Sequence, residues 1–140
     1  MEDWERDFIR QHRVARMATV DASGQPHAIP IVYVYDGGRL YTPIDKKPKR
    51  VGDLYQLQRI RDIRAEPRVA VIIDEYSDDW EKLAWVQIRG RAGILETGRI
   101  YQTAVSLLVD KYPQYREMTL DGRPLIAITL ERVVSWRAKE

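Results

Sequence analysis

The feature that most constrains this chain is a tight turn between two apolar runs. Residues 27–35 (HAIPIVYVY) are dense in β-branched and aromatic side chains, the types that fit a pleated, half-buried surface. Asp36-Gly37-Gly38 follows, and residues 39–44 (RLYTPI) return. A tight hairpin turn needs positive φ, which glycine adopts without steric cost. The two runs therefore specify adjacent antiparallel strands. Pro30, inside the first run, has no N–H to give a ladder, so it marks an edge, a bulge or a place where the ladder opens.

The remaining pattern is of the same kind. Trp4, Phe8 and Ile9 share one face of a helix, with Glu2 and Asp3 at its start where acids suit the macrodipole, so residues 3–11 are expected to be helical. Residues 13–20 (RVARMATV) read as strand, and 21–26 (DASGQP) are turn formers. Asp53 is a good N-cap for a second helix, in which Leu54, Leu57 and Ile60 recur at helical spacing. That helix ends near Glu66-Pro67, because the residue before proline resists the helical region. Residues 68–74 (RVAVIID) read as a buried strand. Residues 84–95 (AWVQIRGRAGIL) read as a long strand that bends or bulges at Gly90 and Gly93, and residues 124–136 (PLIAITLERVVSW) as the last strand. Between these two, Thr97 caps a third helix whose face is Ile100, Ala104, Leu107, Leu108 and Tyr112, and Pro113 stops it.

The resulting order, β-β-β-α-β-β-α-β, lacks the regular alternation of parallel α/β proteins. It predicts a mainly β fold, with six strands in an antiparallel barrel, an N-terminal helix and connecting helices. The 140 residues contain no internal repeat or linker, so one domain over residues 1–140 is expected.

Composition narrows the chemistry. There is no cysteine, which excludes disulfides, thiolate nucleophiles and zinc–thiolate sites. No apolar run approaches the ~20 residues of a membrane span. Without a signal peptide the expected location is the cytoplasm. A net charge of +2 is too mild to mark a nucleic-acid binder by itself. His12 and His27 are the only histidines and read as surface or packing residues; no His-x-x-x-His pair exists for a metal. Ser23, Ser77, Ser106 and Ser135 lack the nucleophile-elbow context. Asp74, Glu75, Asp78, Asp79 and Glu81 read as a solvated acidic loop, without the spacing of a calcium loop. GxGxxG and Walker patterns are both absent.

A barrel without nucleophile, metal cluster or acid–base pair points to a bound cofactor as the source of chemistry. Lys46, Lys47, Lys49 and Arg50 gather where the strand over 40–44 ends, and Arg59, Arg61 and Arg64 interleave the helix beyond. Such a cluster is either a solvated charged face or a seat for an oxyanion, since arginine binds oxyanions through paired hydrogen bonds. The apolar surface from Ile29 to Val32 would carry a flat ring.

The ordered set of segments resembles the flavin- and deazaflavin-binding split β-barrels of the pyridoxamine 5'-phosphate oxidase class. Its marks are residues 15–21 (ARMATVD), 24–27 (GQPH) leading to 30–33 (PIVY), 59–70 (RIRDIRAEPRVA) and 85–92 (WVQIRGRA), and the resemblance covers nearly the whole chain, from Trp4 to Trp136. Asp45-Lys46-Lys47, Asp74-Glu75-Tyr76 and Asp79-Trp80 are similar to the small branch that uses the deazaflavin coenzyme F-420. The chain stops shortly after Trp136, without the oxidase's longer C-terminal segment, so pyridoxamine phosphate is not the expected substrate.

The resemblance implies a homodimer with two cofactor sites at its interface. It implies that Lys46, Lys47 and Lys49 face the anionic tail, with Arg59 and Arg61 nearer the phosphate. Pro30, Ile31 and Val32 lie along the ring, Thr42 and Ile44 flank it, and Trp85 and Gln87 reach in from the partner. The implied activity is hydride transfer from reduced F-420 to a small unsaturated or quinone-like acceptor. No residue stands out as proton donor; Tyr41 and Tyr76 are the candidates. Three readings compete. FMN could replace F-420; the protein could carry a cofactor without turnover; or Tyr33, Tyr35 and Tyr41 could stack single-stranded nucleic acid beside the basic stretch.

Overall fold

The structure, a computed structural model, describes residues 1–44, 54–120 and 122–139. The expected Asp53 cap and the Lys46, Lys47, Lys49 and Arg50 cluster lie outside the described residues. The elements are α1 (Asp3–Gln11), β1 (Ala15–Val20), β2 (Pro26–Ile31), β3 (Val34–Asp36), β4 (Arg39–Pro43), α2 (Gln58–Ala65), β5 (Arg68–Glu75), β6 (Ala84–Leu95), α3 (Arg99–Lys111) and β7 (Leu125–Arg137). All the strands pair antiparallel in one sheet of order β2-β1-β5-β6-β7-β4-β3.

The sheet has seven strands, not six, because the run over 27–35 is two strands. Its break has a specific cause. The hydroxyl of Tyr112, from the C-terminal end of α3, accepts the N–H of Tyr33 at 3.1 Å and points back at the Tyr33 carbonyl at 3.0 Å. The N–H that Tyr33 would give to a ladder is thus taken by one side chain, whose single proton is shared between the Tyr33 carbonyl and a second one. The same hydroxyl lies 2.9 Å from the carbonyl of Arg13.

This break shapes the barrel. β2 and β3 are the two ends of the sheet, yet only Val32 and Tyr33 separate them in the chain. So short a link forces the two ends together, and the sheet curls into a half-barrel whose seam is closed by no ladder. The hairpin from β3 to β4 turns through Gly37 and Gly38 at φ 59° and 80°, the positive values that the pair was expected to supply.

Alternation along the strands fills the inside. Met17, Leu40, Val71, Ile73, Val86, Ile88, Ile126 and Ile128 are buried together with Phe8 and Ile9 of α1 and Ile60 and Ile63 of α2. Each such side chain contributes about 1.5–3 kcal/mol on burial. A second cluster outside the barrel joins Val34, Tyr41 and Leu125 to Tyr101, Ala104 and Leu108 of α3. α1 opens with a capping box in which the Glu2 N–H donates to Glu5 Oε1 at 2.7 Å. α2 is tied to the sheet by Asp62, which is buried and accepts from the Thr19 hydroxyl and the Gln58 amide, each at 2.6 Å.

Two helix starts differ from expectation. α2 begins at Gln58, after a 3-10 turn over Leu54–Gln56, with Leu57 as its N-cap residue. α3 is entered through Gly98 rather than Thr97, and its buried face is Tyr101, Ala104 and Leu108, with Ile100 half exposed. Gly98 sits at φ 102°, a conformation a threonine avoids, so the cap moves one residue along. β6 keeps the expected bounds and shifts register between Arg89 and Gly90. A Cβ on Gly90 would overlap the carbonyl oxygen of Thr129, so the bulge admits only glycine there. Among the described residues no helix is long and apolar enough to cross a membrane.

Candidate cofactor site at the barrel seam

A cleft of about 270 Å³ opens where β2 leaves the sheet. Ile29, Pro30, Ile31 and Val32 form one wall, Thr42 and Pro43 of β4 another, and Val14 and Arg59 close the ends. The seam explains the opening. β2 pairs only with β1, and β4 only with β3 and β7, so no ladder joins the backbone of residues 29–32 to that of residues 42–43. Pro30, which pairs with Arg16 of β1, lacks an N–H to expose on that open side.

The polar groups in this apolar cleft are few. Thr42 is 2% exposed, and its hydroxyl has no hydrogen-bond partner among the described residues. A hydroxyl on an apolar cleft wall without a protein partner is available to the polar edge of a ligand. Arg59, half buried at the second position of α2, brings a planar set of donors to the rim.

The wall is held from behind. Tyr112 fixes Tyr33, next to Val32, and Arg13, next to Val14, through the three contacts of its hydroxyl. Lys111 donates to the carbonyl of His12 at 2.7 Å and lies 4.1 Å over the Tyr33 ring. Burial, then the nearby Arg13 charge, pushes the Lys111 ammonium down to about 8. Burial, then the neighbouring Tyr112, pushes the Tyr33 phenol well above its usual range.

The structure thus brings Pro30, Ile31, Val32, Thr42 and Arg59 to one cleft. Ile44 lies in the barrel core and Arg61 is exposed on α2, and neither lines it. Trp85 and Gln87 line a different depression, with Arg16, Ile72 and Asp74, on the outer face of β1, β5 and β6. Arg16 and Asp74 pair there at 2.8 Å. Val14 and Pro43 are cleft residues that sequence pattern did not single out. The one available signal was Val14, an exposed apolar residue just before a strand.

Other candidates resolve into structural roles. His12 stacks on Phe8 with ring centroids 4.0 Å apart and contacts its carbonyl through Nδ1. His27 lies 3.2 Å from Asp21, whose carboxylate also accepts from Ser23 and Gln25 and is held well below the usual range by those bonds. Tyr33 and Tyr41 are buried, so the three tyrosines form no exposed stacking row. Tyr76 is exposed and bonds to Asp78, and Tyr41 faces α3 instead of the seam. No group of three potential metal ligands occurs among the described residues.

The sequence matches the family described as pyridoxamine 5'-phosphate oxidase over residues 1–137. The chain belongs to this family. Members and neighbours of the pyridoxamine 5'-phosphate oxidase family differ in what they are named for. A 5a,11a-dehydrotetracycline/5a,11a-dehydrooxytetracycline reductase of Streptomyces rimosus is 30% identical over 92 residues, 65% of this chain. The chain spans 61% of that reductase's length. A FAD-binding protein of Mesorhizobium loti superposes with a TM-score of 0.70 at 24% identity, covering 96% of this chain and 94% of that one. HutZ, a heme storage protein of Vibrio cholerae, superposes with a TM-score of 0.75 at 14% identity, covering 97% and 93%. These two likenesses establish the split-barrel fold.

Proposed function

We propose that this protein is an oxidoreductase that seats coenzyme F-420 in the seam cleft and reduces a small unsaturated or quinone-like acceptor. The observation that carries the reading is the Thr42 hydroxyl, on the wall of an apolar cleft without a partner among the described residues, with Arg59 at the rim. A flat ring with a polar edge fits such a wall. A volume of about 270 Å³ lies just below the usual range for ligand pockets, so it suits the ring and leaves the tail outside. The F-420 tail carries a phosphate and several glutamyl carboxylates. Lys46, Lys47 and Lys49 supply the charge for it in the sequence, and they favour F-420 over FMN.

When bound, the cofactor supplies a hydride. The chain supplies the setting. Ile29, Ile31 and Val32 would shield the ring from water, Thr42 would bond a polar edge, and Arg59 would hold an oxyanion of the tail. Among the described residues the cleft lining offers no carboxylic acid, phenol or imidazole, and the proton is therefore assigned to water. One hydride and one proton then balance the reduction of one C=C bond. The Streptomyces reductase, named for dehydrotetracyclines, supports an acceptor of this class. Trp85 and Gln87 would cover the cleft of a second copy in a homodimer. A cysteine-free chain suits the reducing cytoplasm.

The cleft's lack of a proton donor also favours a second reading, a flavin or deazaflavin carrier without turnover. A titration of the stripped protein with F-420 and FMN at two salt concentrations tests both. F-420 should bind more tightly and with the steeper salt dependence, and Arg59→Gln should weaken both ligands by about tenfold. Preference for FMN would move the assignment to a flavoprotein. Binding of neither would end the redox reading. F-420 binding with no oxidation of the reduced cofactor by enones or quinones would leave the carrier.

A further inference from the structure

We infer that a second ligand site, for the phosphate of a small phosphate monoester, lies at the other end of β4, between the β3–β4 turn and the start of α3. Strand alternation puts Thr42 and Tyr41 on opposite faces of β4. Thr42 faces the seam cleft, whereas Tyr41 packs against α3. A cavity of about 370 Å³ opens there, lined by Asp36, Arg39 and Tyr41 on one side and Arg99, Ile100 and Thr103 on the other. Tyr41 and Thr42 are adjacent, so the two cavities lie on opposite faces of β4.

Three independent features there call for an anion. Tyr41 is 4% exposed, lines the cavity and has no hydrogen-bond partner for its hydroxyl among the described residues. Arg39 and Arg99 form no ion pair with any described residue. The 13-residue α3 begins here with no side-chain cap and no acid in its first turn. Its first N–H groups therefore have no side-chain cap beside the cavity that Arg99 and Ile100 line, and Arg99 adds charge of the sign that the helix dipole disfavours. α1 manages the same end of a helix with two glutamates. A dianionic phosphate would accept from both guanidinium groups, the Tyr41 hydroxyl and the helix N-terminus together.

Asp36 also lines the cavity, and its carboxylate opposes a bare anion. Two arginines outweigh it, and it can accept a hydroxyl or amine carried beside the phosphate. Half-exposed Ile100 supplies an apolar rest for the remainder of the molecule. The required ligand is thus an organic phosphate monoester in preference to inorganic phosphate. The site is independent of the cofactor reading.

Amide-resolved NMR titration of the full chain with phenyl phosphate, inorganic phosphate and benzoate decides the matter. Phenyl phosphate should give saturable shifts at Gly37, Arg39, Arg99 and Ile100, and inorganic phosphate weaker ones at the same amides. Arg39→Gln with Arg99→Gln should weaken phenyl phosphate by about tenfold or more, and Tyr41→Phe by about threefold. Thermal unfolding confirms that the variants are folded; both arginines lie at the surface, and phenylalanine keeps the packed ring. Absence of saturable shifts, shifts at the seam residues instead, benzoate binding as tightly as phenyl phosphate, or unchanged binding in the folded arginine variant would each overturn the assignment.

Discussion

Two parts of the same sheet manage their backbone in opposite ways. Across β5, β6 and β7 the ladders are long, with eight residue pairs between the first two strands and twelve between the second two. At the seam, β3 contributes three pairs to β4 and none to β2. The long ladders satisfy their own N–H and C=O groups and bury Val71, Ile73, Val86 and Ile88 without a gap. The seam is closed instead by the Tyr112 hydroxyl, and the cleft opens beside it. The difference teaches that stability and the candidate site are supplied by different strands. Continuous pairing uses up its own backbone groups, and interrupted pairing opens a cleft between strands.

The comparison breaks most severely at Gly90. Gly90→Ala places a methyl group against the Thr129 carbonyl in the longest ladder. It should cost about 3 kcal/mol and lower Tm by about 10 °C, with little effect on cofactor affinity in the protein that remains folded. A loss under about 1 kcal/mol would mean that the bulge accommodates a side chain. Tyr112→Phe cuts the seam closure and keeps the ring. It should cost about 2 kcal/mol, speed exchange of the Tyr33 amide while the β6 amides stay protected, and weaken cofactor binding through Val14 and Val32. Equal acceleration across both regions would show that the seam has no local identity.

The smallest effect is a pH dependence. Lys111 lies under the seam with a folded value of about 8 against 10.5 ordinarily. Between those values the unfolded chain holds more protons than the folded one, so stability rises with pH from about 8. Tyr33 reverses the sign above pH 10, because it keeps its proton when folded and loses it when unfolded. Since Lys111 is only half buried, screening limits the gain to about 1 kcal/mol. The urea midpoint should therefore rise from pH 8 to pH 9.5 in the native chain and stay flat in Lys111→Met. A midpoint that falls in the native chain would assign the opposite environment to this lysine.

Much of this architecture was legible because it is local. The Gly37-Gly38 turn, the α1 face and the bounds of β6 follow from neighbours in sequence. The family resemblance likewise named Pro30, Ile31, Val32, Thr42 and Arg59, which meet at the cleft. The differences have causes both distant and local. A run as β-prone as residues 27–35 gives no hint that a hydroxyl 79 residues from Tyr33 divides it. Ile44 and Arg61 belong to the right segments, but strand and helix phase send one into the core and the other to solvent. Thr97 is the better cap by composition, and the positive φ of Gly98 decides otherwise.

The length of β7 carries one more consequence. Its first five residues lie between β6 and β4, but β4 ends its pairing at Thr129. From Arg132 to Arg137 the strand pairs with β6 alone among the described residues, and no ladder covers its other side. Such an uncovered side is a template for any extended chain that meets it, and the usual safeguard is charge. Glu131, Arg132 and Arg137 supply it here, with Arg91 of β6 answering Glu131 at 3.4 Å. The open side of β7 beyond β4 is therefore guarded against fibril-like addition by its own side chains.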